Sequence, residues 1–145
     1  MDYINQRVHE LYWKNDYNCA RTMLFCLREI FEVTLEKQTI ISAAGLHGAG
    51  GFRAQCGLVE GGLMFIGIYY HFLGRSEEET VTACYKFADT FRKRFGSLTC
   101  YELRPGGFTP NERPRGLTPN DPPHMCEELT CQAVGFACDF MKDAI

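Results

Sequence analysis

The chain has 145 residues, 46% of them hydrophobic and 23% charged, with a formal net charge of −3. That length fits one domain spanning 1–145 that buries roughly two-thirds of its unfolded surface, and the charge balance offers no basic stripe for nucleic acid. The opening MDYINQRVHE lacks the basic start and apolar stretch of an export signal, and no apolar run is long enough to span a bilayer, so a soluble, cytoplasmic protein with no membrane partner is expected.

Asp2 to Lys14 spaces Ile4, Val8, Leu11 and Tyr12 at helical intervals. Asp16 offers an N-cap for a second helix over Tyr17 to Val33, in which Cys19, Met23, Cys26 and Ile30 form one stripe. Leu35 to Ala44 predicts a third helix, closed by Gly45. A glycine-dense loop follows (Gly45, Gly48, Gly50, Gly51), and a helix then runs from Cys56 to about Phe72. Gly61, Gly62 and Gly67 lie inside it, each costing about 1 kcal/mol relative to Ala. Such a cost implies close approach of another backbone or a bulky group, or a strand in place of the helix.

Ser76 followed by Glu79 is a capping box for a helix to about Phe95, with Val81, Cys84, Tyr85, Ala88 and Phe91 on one face. Arg92-Lys93-Arg94 complements the dipole at its end, and Gly96 stops it. Ser97 can cap a short helix, Leu98 to Leu103. Arg104 to Asn120, with four prolines and three glycines, reads as a long surface loop where a redox partner protein could dock. Asp121-Pro122 then starts a last helix from Pro123 to about Lys142. No period-two pattern appears, so the expected fold is all-α, a single-domain bundle of about five to six helices.

Eight cysteines are far more than an intracellular chain of this size needs. Without an export signal they read as metal ligands, redox thiols or small buried hydrophobes rather than as four disulfides. No CxxC and no CxxCH occurs, so thioredoxin-like, zinc-ribbon and covalent haem signatures are all missing. Cys19, Cys56, Cys100 and Cys126 each fall at or near a predicted helix start, where the macrodipole and free N–H groups stabilise a thiolate. Cys26 and Cys84 lie mid-helix on apolar faces and read as core. Cys131 and Cys138, seven residues apart on the last helix, read as packing, with Cys131 a spare ligand.

His47 in the glycine loop and His124 near Cys126 can be ligands, but a solvated or structural role suits both better; His9 reads as surface and His71 as interfacial. Glu77-Glu78-Glu79 is a solvated helix start. Arg53, three residues before Cys56, suits either an anionic partner or an exposed loop position. The sequence GLHGAGG matches neither phosphate-binding glycine pattern, GxxxxGK[ST] or GxGxxG after a strand.

NCA (Asn18–Ala20), GAGGFRAQCGLVEGGLMFIGI (Gly48–Ile68), FGSLTCYEL (Phe95–Leu103) and Cys126 in MCEEL together resemble the redox-active C_GCAxxG_C_C family. The central motif here is Cys56-Gly57-Leu58-Val59-Glu60-Gly61, with Leu58 in place of the usual alanine. The resemblance extends from about Tyr12 to Met141. A related cysteine segment carries an iron–sulfur cluster in split-Soret cytochromes. The resemblance therefore implies a [2Fe–2S] site at Cys19, Cys56, Cys100 and Cys126, and a homodimer.

Four functions are thus open. The first is an iron–sulfur centre for electron transfer or redox sensing. The second is a thiol–disulfide oxidoreductase, in which Cys56 attacks and Cys19, Cys100 or Cys126 resolves. A structural zinc site on the same four cysteines is the third, with separations of 37, 44 and 26 residues counting against it because such sites use a short cysteine pair. The fourth is a helical dimerisation or binding module whose cysteines only fill the core.

Overall fold

The computed structural model describes residues 2–103 and 126–143. The proposed docking loop, the Asp121-Pro122 cap and His124 lie outside them. The described chain is all-α and holds no strand among those residues. Five helices have twelve residues or more: α1 (Asp2–Trp13), α2 (Cys19–Phe31), α5 (Gly57–Phe72), α6 (Glu77–Phe95) and α8 (Glu127–Asp143). Shorter pieces are α3 (Lys37–Ser42), the single turn α4 (Gly48–Gly51) and α7 (Cys100–Leu103).

The second helix begins two residues later than its sequence suggests. Asn18, not Asp16, is the N-cap, accepting a hydrogen bond from the Arg21 N–H at 2.9 Å. Its amide also donates to the carbonyls of Ala43 and Ala44 at 2.9 and 2.8 Å, so a contact 25 residues away chooses between the two candidates. Asp16 itself is left-handed (φ 53°) and turns the chain between α1 and α2. The third helix is also shorter than expected, passing into a 3₁₀ turn over Ala43–Gly45.

α5 lies at the centre, against α2 on one side and α6 on the other. Its glycines explain why a helix this apolar tolerates them. A β-carbon on Gly61 would stand 2.7 Å from the Ala20 carbonyl oxygen, and one on Gly62 would stand 2.5 Å from the Phe87 ring. Close approach, not a strand, is the reason for both. Gly67 meets nothing within 4 Å.

α6 carries both predicted caps. Ser76 and Glu79 form the reciprocal capping box, and Gly96 closes the helix in the left-handed region at φ 96°. Its fully buried face coincides with the predicted one only at Phe91. Ala83, Phe87 and Phe91 point inward, while Val81 and Tyr85 are 62% and 73% exposed. The helix has two apolar stripes, and the phenylalanine stripe wins because Phe136 and Phe140 of α8 meet it, with Phe87 ring centroids 5.5 and 5.3 Å away.

α8 packs along α1 and α2. Its first residue, Glu127, accepts from Trp13 Nε1 at 2.8 Å and pairs with His9 Nδ1 at 2.9 Å, which pins the start of the helix to the end of α1.

Candidate functional site

Each of the four singled-out cysteines stands at the head of a helix. Cys19 is the first residue of α2 and Cys100 the first of α7. Cys56 is the N-cap of α5. Cys126 immediately precedes α8, and its carbonyl accepts from the Thr130 N–H at 2.8 Å.

Several local devices bring these heads together. The Gly48–Gly51 turn holds Gly48, Ala49, Gly50 and Gly51 all at positive φ, which folds the loop back on itself. A β-carbon on Gly48 would lie 3.3 Å from Cys100 Cβ, so the loop runs against that cysteine. Gln55 and Thr99 form an isolated antiparallel bridge. Across it the Cys56 N–H donates to the Leu98 carbonyl at 2.8 Å and the Cys100 N–H to the Ala54 carbonyl at 2.6 Å. Leu98 therefore belongs to this bridge rather than to a helix, which corrects the sequence expectation for 98–103. The Ser97 hydroxyl accepts from the Thr99 N–H at 2.9 Å, capping the turn that leads into α7.

Cys19 reaches the same place from α2. Its Sγ faces Gly57 and donates to the Leu46 carbonyl at 3.9 Å. Cys126, at the head of α8, lies within electrostatic range of both Cys19 and Cys56, as does Cys100. The four thiols thus gather in one region although the sequence scatters them over more than a hundred residues.

Burial decides the protonation of two of them, Cys56 and Cys19. Burial pushes the Cys56 thiol up to about 12; hydrogen bonding from the Leu58 and Val59 N–H groups pulls it back, and Cys100 and Cys126 push it further up. Burial likewise raises Cys19 well above its ordinary value, with the other three cysteines adding to it. The helix-start N–H groups favour thiolate as expected, but desolvation outweighs them, so both groups are held as neutral thiols at neutral pH.

The donor set suits a soft metal or a cluster, since buried thiols approached by helix-start N–H groups are the usual iron–sulfur environment. Among the described residues no three His, Cys, Asp or Glu side chains surround a common point closely enough to hold a metal ion.

The other cysteines lie elsewhere. Cys26, fully buried on α2, interacts with Cys138 and Cys131 of α8. Cys84 is half-buried on α6. Arg53 is buried at 3% exposure with φ 65°, which decides against an exposed loop position. His47 is half-buried beside the glycine turn and His71 is exposed.

Two residues near the thiols were not anticipated as site residues. Tyr12, which reads in sequence only as part of an apolar stripe, is buried within electrostatic range of Cys19, Cys126 and Cys56. Its hydroxyl is 2.5 Å from Thr130 Oγ1. No described helix is long and apolar enough to cross a membrane.

No curated protein and no solved structure matches the chain. The family model described as "Putative redox-active protein (C_GCAxxG_C_C)" matches residues 17–140, and the chain belongs to that family.

Proposed function

We propose that Cys19, Cys56, Cys100 and Cys126 form one redox centre that holds an iron–sulfur cluster, [2Fe–2S] in the simplest case, for electron transfer or redox sensing. The observation that carries this reading is four cysteines at the heads of four different helices and within electrostatic range of one another, two of them, Cys19 and Cys56, strongly desolvated. When bound, such a cluster supplies a one-electron couple whose potential follows its burial and the hydrogen bonds to its sulfurs.

The chain's own residues define the rest. The four sulfurs are the ligands and release their protons on binding. The N–H groups of Leu58 and Val59 already direct hydrogen bonds at Cys56 and lessen the cost of its negative charge. Leu58 and Val59, 1% and 0% exposed, keep water away. Serine at any of the four positions removes a soft ligand, so single Cys→Ser variants are expected to lose iron, whereas Cys84→Ser keeps it. Equal iron in Cys56→Ser and Cys84→Ser would sink the assignment.

A thiol–disulfide reading would use the same residues, with Cys56 attacking and Cys19, Cys100 or Cys126 resolving. The environment of Cys56 opposes it. A nucleophilic cysteine needs exposure and a depressed pKa, whereas Cys56 is 5% exposed and pushed up to about 12. The cluster reading is the one adopted.

A further inference from the structure

We propose that the outer stripe of α6 is a two-fold interface for a second copy of this chain, with Tyr85 on the axis and Glu78 of each subunit paired with Arg92 of the other. Glu78, Val81, Tyr85, Ala88 and Arg92 follow one another at alternating steps of three and four residues, so they share one helix face. This is the stripe that the core leaves over, since Phe87 and Phe91 are the residues that meet α8. Val81 and Tyr85 stay 62% and 73% exposed.

Single exposed apolar side chains are ordinary on a protein surface, but these two are not scattered. Every other exposed residue of α6 is Glu, Thr, Lys or Arg, so the apolar exposure is confined to this face.

The charges at the ends of the stripe select the occupant. Glu78 stands seven residues before Tyr85 and Arg92 seven residues after it, each about 10.5 Å away along the helix axis. Two α6 helices packed antiparallel about an axis at Tyr85 therefore bring Glu78 opposite Arg92 of the partner subunit at both ends at once. The acidic first turn and the basic last turn of the helix oppose in the same way. Glu78 makes no ion pair among the described residues. Arg92 donates to Asp89 at 2.9 Å, and its side chain is 54% exposed, which leaves further donors of its fork available. A face matched to its own reverse is what a two-fold interface requires, and the two tyrosine rings supply an aromatic anchor at its centre. One helix pair buries less than the roughly 800 Å² per partner of a standard interface, so the dimer is weak and concentration-dependent.

The test is sedimentation velocity over a range of concentrations on the full chain, purified anaerobically and kept reduced so that no intermolecular disulfide forms. The parent is compared with Tyr85→Lys, Glu78→Arg, Arg92→Glu and the double variant Glu78→Arg/Arg92→Glu, with a melting curve by circular dichroism for each. The parent is expected to shift from monomer to dimer as concentration rises, and Tyr85→Lys to remain monomeric. Each single reversal replaces two ion pairs per dimer with like charges and is expected to weaken association about tenfold. The double reversal re-forms both pairs and is expected to return association to the parent level. It also carries the helix-dipole penalty of both changes, so the recovery comes from pairing and not from regained stability.

A parent that stays monomeric at the highest concentration would overturn the inference, whether the stripe is then solvated or covered by another part of the chain; hydroxyl-radical labelling of Tyr85 tells these two apart. A dimer that Tyr85→Lys leaves intact, or a double variant no better than the single ones, would overturn it as well. Should the charge variants fail to fold, Tyr85→Lys decides alone. None of these outcomes depends on a metal at the four cysteines.

Discussion

Gly57 and Cys19 touch: a β-carbon on Gly57 would stand 2.2 Å from Cys19 Sγ and 2.3 Å from the Leu46 carbonyl oxygen. The glycine after Cys56 therefore makes room for a cysteine 38 positions earlier, and two of the four gathered thiols depend on it. Gly57→Ala must push aside a backbone carbonyl and the sulfur together, so it is expected to destabilise by about 1–3 kcal/mol, as overpacking does, and to reduce iron loading. Gly67→Ala, with nothing within 4 Å, is expected to be neutral or to stabilise by up to about 1 kcal/mol. Urea unfolding of the two variants provides the comparison.

Phe87 joins the two halves of the core. It is fully buried, lies against Gly62 of α5, and packs edge-to-face on Phe140 of α8. Phe87→Ala is expected to cost about 3–5 kcal/mol. Gly62→Ala, which forces this ring to shift by tenths of an ångström or more, is expected to cost about 1–3 kcal/mol. Because both changes act on one contact, the double variant is expected to lose less than the sum, which a double-mutant cycle on unfolding free energy would reveal.

Ser76 tests a feature that the sequence alone displays. Its hydroxyl accepts from the Glu79 N–H at 3.1 Å while the Glu79 carboxylate accepts from the Ser76 N–H at 3.0 Å. Ser76→Ala is expected to lower stability by about 1 kcal/mol, measured as a shift in the urea midpoint with unchanged slope.

Local signals of this kind made much of the fold legible: the capping box, the glycine stop at Gly96, and the start of α5 at Cys56 are each written within a few residues. That Cys19, Cys56, Cys100 and Cys126 lie near helix starts was legible as well, though the starts of α2 and α7 themselves fall two residues later than the sequence suggests. What remained hidden was set from a distance. Asn18 replaces Asp16 as a cap because Ala43 and Ala44 accept its amide. Leu98 leaves its predicted helix because the Cys56 N–H claims its carbonyl. The two apolar stripes of α6 are equally periodic, and only the phenylalanines of α8 choose between them. Tyr12 gave no sign of its partner, since Thr130 lies 118 residues away.

The stability of the fold is expected to fall in acid through Glu29. Burial by itself would raise this carboxyl, but hydrogen bonds from Arg7, at 2.8 and 3.1 Å, and from Tyr3 outweigh it and hold the group below its ordinary value of 4.5. A depressed carboxyl stabilises the folded state above the unfolded pKa and loses that contribution as pH falls through the folded one. Unfolding free energy measured from pH 7 to pH 3 is therefore expected to decline below about 4.5. Glu29→Gln should flatten the decline while lowering stability at pH 7 by about 1 kcal/mol.

Iron and acid-labile sulfide, measured with the visible spectrum on anaerobically purified protein, bear most directly on the proposed centre. Iron and sulfide in equal amounts, with charge-transfer absorption that disappears in Cys56→Ser, is the predicted result. Zinc without sulfide, or four thiols that titrate freely with no metal bound, would contradict it.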